Sequence, residues 1–300
     1  MQQNQENKTE EKTILSPKLD VVFQILFGEV GSENITKDFL STILKEEIEE
    51  ISLNQNVVLR REIPKGKMGI VDVLAKINNN EYCNIEMQMI DKKNMIKRML
   101  YYWSRQYAKG IGKNEDYREL KRTIVVLIAN FELENLESLG IHSRWKIIEE
   151  KERKIVLTED LEFNIIELPK MYKMHQEGED KLKEWLEFLE NPDSKEVRSY
   201  MKKNENMKEA REKLDKISED ERVRRLAELR QKALMDEREA EYTGYCKGLE
   251  DGRKNGLEDG MKCGREQEQI KIAKKMKAEG IEIALITKIT GLSEEEINKI

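Results

Sequence analysis

Two short alternating segments, Ile70-Val71-Asp72-Val73-Leu74 and Asn84-Ile85-Glu86-Met87-Gln88-Met89, constrain the fold of this chain more than any other feature. A strand sends successive side chains to opposite faces, so Val71, Val73, Ala75 and Ile77 share one face and Asp72 takes the other. In the second segment Ile85, Met87 and Met89 share a face, and Glu86 and Gln88 share its opposite. The intervening Asn78-Asn79-Asn80-Glu81 is turn chemistry, which predicts an antiparallel hairpin with Asp72 across from Glu86 and Gln88. Two carboxylates meeting there supply hard oxygen ligands for Mg²⁺ or Mn²⁺. Such an ion suits phosphodiester cleavage by an activated water. The same alternation also fits the wet face of any antiparallel sheet, so the flanking elements must decide.

Before the hairpin stand an apolar-periodic stretch, Asn34 to Ile51, and a strand candidate, Asn56 to Ile63. After it stand a helix candidate, Lys93 to Ile111, and the continuous apolar run Thr123-Ile124-Val125-Val126-Leu127-Ile128-Ala129. With the acid on the second strand and ExQ on the third, this order resembles the PD-(D/E)XK nuclease superfamily. Within it, the chain is similar to the recombination-promoting nuclease and transposase family of bacteria. The resemblance rests also on Leu15-Ser16-Pro17-Lys18-Leu19-Asp20-Val21-Val22-Phe23-Gln24-Ile25-Leu26-Phe27-Gly28, on Arg98-Met99-Leu100-Tyr101-Tyr102-Trp103, and on a glycine-rich tail. It spans almost the whole chain after residue 14. It implies an α/β fold with an αβββαβ core, a mixed sheet flanked by helices, and an all-helical C-terminal region.

The implied activity is that of a metal-dependent DNA endonuclease, in a setting of transposition or recombination. Carried over by position, Asp72 and Glu86 match the metal-binding acids, and Gln88 occupies the place of the usual lysine. A lysine there would stabilise charge on the scissile phosphate, whereas glutamine only orients by hydrogen bonding. Candidates for the missing cation are Arg98 and Lys97 on the following helix, with Lys76 a weaker one. Asp20 matches the family's N-terminal acid, which orients a water or ligand; its alternative role is a charge at a helix N-terminus. The rival reading is a non-catalytic DNA-binding or scaffold protein built on an inactivated nuclease fold, and RNA is an alternative substrate.

Between Lys92 and Arg122 there are ten Lys or Arg against Glu115, Asp116 and Glu119, and Arg60, Arg61, Lys65 and Lys67 flank the first strand. The net charge is −6, so this local excess beside the acids matters more than the total. Lys92, Lys93, Lys97, Arg98, Tyr101 and Arg105 are the expected DNA contacts. Tyr102, Trp103 and Tyr107 fit a core-facing helix side. Asp91 reads as a cap before Lys92 and Lys93 rather than a third catalytic acid.

Other chemistries find no support. Cys83, Cys246 and Cys263 make no CxxC pair, and His142 and His175 show no zinc spacing. No GxGxxG or GxxxxGK[ST] follows a strand, and no GxSxG elbow exists, which excludes a nucleotide cofactor and acyl transfer. No membrane-length apolar run and no secretory signal are present, so a cytoplasmic protein is expected.

Five regions are expected: a disordered 1–13, a nuclease domain 14–175, charged amphipathic helices 176–241, a glycine repeat 242–268 and a helical module 269–300. Asn191-Pro192-Asp193 is the clearest break in the third. The repeat places Gly244, Gly248, Gly252, Gly256, Gly260 and Gly264 four apart. Each glycine weakens a helix by about 1 kcal/mol, so either the segment pairs with another subunit along its glycines or it is a solvated linker. The first alternative makes the chain a homo-oligomer. The last module reads as short helices Gln269–Glu279 and Ile281–Thr290, then a helix capped by Ser293 and Glu296. It resembles the helix-turn-helix end of this family, although acidic Glu294, Glu295 and Glu296 favour an interaction or oligomerisation role over DNA reading.

Overall fold

A computed structural model describes residues 14–53, 72–173 and 180–300. The strand expected from Asn56 to Ile63, and the basic residues Arg60, Arg61, Lys65 and Lys67, lie outside the described residues. The chain divides into two compact units, up to Met235 and from Asp236.

The first unit is built on a six-stranded mixed sheet with order β1-β2-β3-β4-β6-β5. The strands are β1 (Ile51–Leu53), β2 (Val73–Ile77), β3 (Glu81–Gln88), β4 (Thr123–Ala129), β5 (His142–Ile148) and β6 (Val156–Glu167). β3, β4 and β6 run parallel, while β1 and β2 at one side and β5 at the other pair antiparallel. Every residue of β4 is buried, as expected for a parallel strand covered on both faces. The β2–β3 turn uses asparagine's tolerance of left-handed backbone: Asn78 has φ 43° and Asn80 φ 63°.

Alternation sorts the sheet into two cores. Val73, Ala75, Ile77, Cys83, Ile85, Met87, Ile124, Val126 and Ile128 pack with α1 (Asp20–Gly28) and α2 (Glu33–Leu44). Val125, Leu127, Ala129 and Ile165 face the other way and pack with Met95 and Met99 of α3 (Met95–Lys109). Gly28 lets α1 come close to β2, because a Cβ there would stand 3.1 Å from Val73 Cγ2. Helix α1 is buried nearly all round, which leaves Asp20 and Gln24, one turn apart, as its polar stripe.

Helices α4 (Asp180–Glu190), α5 (Lys195–Tyr200) and α6 (Glu205–Glu219) follow. They contribute Trp185, Phe188, Val197, Met207 and Leu214 to the α1–α2 core. Trp185 stacks edge-on against Phe27 and Phe39 and donates its Nε1–H to Asp38 Oδ2 at 2.9 Å. The first turns of α7 (Glu221–Ala278) belong here too, with Val223, Ala227 and Leu234 buried in the same core.

In the second unit α7 stays helical through all six glycines. Glu250, Lys254, Glu258, Lys262 and Glu266 alternate in sign four apart, on the side away from the glycines. Each such pair returns about 0.2–0.5 kcal/mol, which offsets only part of the glycine cost. The separate helix expected from Gln269 to Glu279 is instead the end of α7, because nothing from Gly264 onward interrupts the backbone until Gly280 at φ 78°. Helices α8 (Ile283–Thr290) and α9 (Glu294–Lys299) close a small core of Ala273, Ile286 and Ile297. The capping box of Ser293 and Glu296 is formed as expected. Among the described residues no helix is long and apolar enough to cross a membrane.

Candidate active site

The β2–β3 register pairs Val73 with Ile85, and continuing it by one step sets Asp72 against Glu86. Both side chains are buried, Asp72 at 8% and Glu86 at 1% exposure. Asp72 Oδ2 accepts the Met87 backbone N–H at 2.8 Å, and Oδ1 accepts Gln24 Nε2–H at 3.0 Å. Glu86 Oε2 accepts from Gln88 Nε2 at 3.2 Å and from Arg98 Nη2 at 3.2 Å. Glu86 Oε1 is buried with no hydrogen-bond partner among the described residues.

Arg98 is the cation at this site. Its Nη1 donates to Gln88 Oε1 at 3.1 Å and its Nε donates to Tyr102 Oη at 2.9 Å. The guanidinium therefore forks between Glu86 and Gln88 on one face of β3, with its stem side held by a residue one helical turn on. Lys97 lies on the exposed side of the same helix. Lys76 sits over the Tyr82 ring at 5.2 Å, beyond the middle of β2, and takes no part.

Burial pushes the Asp72 carboxyl up to about 7; the Asp20 charge adds to this, and the Met87 and Gln24 hydrogen bonds and Arg98 oppose it. Burial also raises Glu86 well above the usual carboxylate range, helped by the Asp72 charge and opposed by Arg98 and Gln88. Burial works to lower the Arg98 pKa, but the Glu86 charge and the Tyr102 contacts win and raise it. Two adjacent buried acids share one cation, Arg98, and Glu86 Oε1 has no partner among the described residues, so their negative charge is only partly compensated. Asp72 and Glu86 are the residues that could offer oxygens to a hard divalent cation; among the described residues no group of three or more Asp, Glu, His or Cys side chains comes together to hold one.

The other expected residues fall into place around this centre. Asp20 Oδ1 accepts its neighbour Val21's N–H at 2.8 Å and Oδ2 pairs with Arg230 at 2.7 Å, so it serves the helix start while lending its charge to Asp72. The helix cap expected at Asp91 is not formed, because α3 starts after Asn94; Asp91 instead accepts the Lys93 N–H at 2.8 Å in the turn before the helix, and Lys93 Nζ bridges Asp91 and Glu134. Lys92, Lys97, Tyr101 and Arg105 are exposed along the start and outer face of α3. Trp103 and Tyr107 stack at 4.9 Å and bond to β4 and β6 groups, as core-facing rings should. The basic excess is smaller than the sequence count, because Arg122 is tied to Glu46, Glu81 and Glu162, and Arg118 to Asp116.

Three further residues touch the candidate site residues: Gln24, Tyr102 and Arg230. Gln24 and Tyr102 each follow a candidate by four residues on a helix, Asp20 and Arg98 respectively, and that spacing was the available signal. Tyr102 had been read as core; its hydroxyl instead holds Arg98. Arg230 gives no local signal, since it meets Asp20 only through the fold.

Residues 17–243 match the family model described as PD-(D/E)XK nuclease family transposase. The chain belongs to that family. Residues 266–300 match a second model, the C-terminal HTH domain of the Rpn/YhgA-like nuclease family, which covers the end of α7 with α8 and α9. No curated protein and no solved structure matches the chain.

Proposed function

We propose that the chain is a divalent-metal-dependent DNA endonuclease that hydrolyses phosphodiester bonds, with Asp72 and Glu86 holding Mg²⁺ or Mn²⁺. The observation that carries this reading is the Arg98 fork on Glu86 and Gln88 beside Glu86 Oε1, which has no hydrogen-bond partner among the described residues. When bound, the ion supplies Lewis-acid charge to a phosphodiester oxygen and lowers the pKa of a water. Gln88 orients a water or a phosphate oxygen through its amide. Arg98 replaces the cation that a lysine at position 88 would bring, and stabilises charge on the phosphate. Gln24 positions Asp72 from α1, and Asp20, one turn before it, orients a water or ligand. Lys92, Lys93, Lys97, Tyr101 and Arg105 grip the DNA backbone beside the acids.

The reading is tested by cleavage of supercoiled and linear DNA with Mg²⁺ or Mn²⁺, with EDTA, and with Asp72→Ala and Glu86→Ala. Cutting that needs metal and disappears in both variants supports it. The salt bridge of Arg98 to Glu86 also favours a second reading, in which the cation has closed an inactivated site and the protein only binds DNA or organises partners. DNA binding without cutting, unchanged by either substitution, selects that alternative.

We also infer that the chain self-associates along the glycine ridge of α7. None of Gly244, Gly248, Gly252, Gly256, Gly260 and Gly264 has an atom near the position of a Cβ, and Tyr245, Leu249, Leu257 and Met261 beside them are exposed. Close approach of a second helix would recover part of the stability that the glycines forgo.

A further inference from the structure

The exposed side of α3 carries a pattern that the acid site does not use. Lys97, Tyr101, Arg105 and Lys109 stand four residues apart and form one ridge, with Ile96 and Leu100 beside it. No Asp or Glu occurs in this helix. At a rise of 1.5 Å per residue, neighbours on the ridge are spaced about 6 Å along the axis. Tyr101 is 52% exposed, Leu100 44% and Ile96 48%. The Arg105 guanidinium lies 5.6 Å from the Tyr101 ring centre, and the Tyr101 and Tyr102 rings are 5.9 Å apart. Tyr102 in turn holds Arg98, so the exposed ring is one side chain removed from the group that touches Glu86.

Cations alone would grip a duplex, whose bases are stacked on one another and offer only their edges in the grooves. An exposed aromatic and two aliphatic side chains among those cations match something else. An unpaired strand presents phosphates to Lys97, Arg105 and Lys109 and bare base faces to Tyr101 and Leu100, and a guanidinium over the ring strengthens such stacking. We propose that this face of α3 is a stacking platform for an unpaired DNA strand, so that the DNA delivered to Asp72 and Glu86 is single-stranded or locally melted. The second clause rests on the nuclease reading; the first does not.

The test is equilibrium binding by fluorescence anisotropy, in EDTA so that no strand is cut. It uses the full chain, a labelled oligothymidylate and a blunt duplex of equal phosphate count. The single strand is expected to bind more tightly. Tyr101→Ala is expected to lower the ratio of single-strand to duplex affinity about tenfold, within the range for losing one base–aromatic stack. Tyr101→Phe keeps the ring and should keep the ratio within about twofold. Arg105→Gln should weaken both ligands and flatten the salt dependence. Circular dichroism of each variant confirms that it is folded. Equal or tighter binding of the duplex, an unchanged ratio in Tyr101→Ala, or no binding of either ligand overturns the proposal, and the last leaves the face to a protein partner. A parallel cleavage assay with Mn²⁺ separates the two readings. Cutting without strand preference sinks the platform and keeps the nuclease, whereas strand-selective binding without cutting does the reverse.

Discussion

Arg98 Nη2 stands 3.2 Å from Glu86 Oε2, and this contact ties helix α3 to strand β3 beside Glu86 Oε1, a buried acid oxygen with no hydrogen-bond partner among the described residues. The same guanidinium that compensates Glu86 is the candidate phosphate-stabilising group. Arg98→Ala is expected to reduce DNA cleavage by about 10²–10³-fold, the usual cost of one preorganised charge donor. Arg98→Lys should recover part of that loss without the fork to Gln88. Steady-state cleavage rates at saturating Mn²⁺ check this, and an Arg98→Ala protein that cuts at the wild-type rate would remove Arg98 from the chemistry.

Asp72 gives a pH dependence whose sign follows from its raised pKa. In the metal-free folded protein the carboxyl titrates near 7, against 3.8 when unfolded. Between those values the folded state keeps a proton that the unfolded state has released. Stability is therefore expected to fall as pH rises through this window, by up to about 1.4 kcal/mol per pH unit for one group, and to level off above it. Urea denaturation in EDTA at several pH values measures the slope. Glu86, also raised by burial, adds a slope of the same sign, so Asp72→Asn should make the dependence shallower without removing it, and an equally steep slope in that variant would assign the effect elsewhere.

Gln24 donates to Asp72 from a helix that is otherwise almost fully buried. Gln24→Leu leaves Asp72 Oδ1 without that donor and is expected to cost about 1–3 kcal/mol of stability. It should also weaken Mn²⁺ binding in calorimetric titration, because the carboxylate is no longer held in place. A Gln24→Leu protein with unchanged melting temperature and unchanged Mn²⁺ affinity would mean that the hydrogen bond contributes nothing.

Trp185 has no exposed surface and sits among Phe27, Phe39 and Phe188. Trp185→Ala is expected to cost about 3–5 kcal/mol, as for other fully buried aromatics. By the same packing, a fragment ending at residue 175 should bind the dye ANS strongly and melt without cooperativity, since it bares the α1–α2 core. Sharp thermal unfolding of that fragment would show that α4 and α6 are dispensable.

The glycine ridge yields a sedimentation prediction. Gly252→Leu and Gly256→Leu should each raise helix propensity yet fill the groove that close approach requires. Analytical ultracentrifugation of the full chain is expected to show association in the wild type and a shift toward monomer in both variants. A wild type that stays monomeric at all loading concentrations would leave the repeat as a solvated helix.

The sheet centre was legible because period-2 alternation and an all-apolar strand are local signals. Asp72, Glu86 and Gln88 were placed on a common face by counting alone, and the β2–β3 register agrees. The β5–β6 hairpin was not named, since His142–Ile148 mixes charge with apolar residues in an edge strand whose burial is partial. The extent of α7 was not legible, because glycines four apart suit a paired helix and a solvated linker alike, and that left Gln269–Glu279 reading as a helix of its own. Buried charges were hidden for a different reason. Lys170, with no exposure, is paired with Glu167 at 2.5 Å, and composition cannot distinguish it from a surface lysine. Arg230 and Gln24 gain meaning only from the groups the fold brings to them.

The ion pair of Asp20 with Arg230 spans nearly the whole first unit in sequence. It has company: Leu15 N–H donates to Ser218 Oγ at 3.0 Å, and Lys18 pairs with Glu190 at 2.7 Å. During synthesis, the N-terminal helix that flanks the acids therefore waits for partners that leave the ribosome some two hundred residues later. Such non-local closure slows folding. It also means that a chain terminated before Arg230 carries both acids without the helices that fix α1 beside them, so the acid site is assembled only once synthesis has passed that residue.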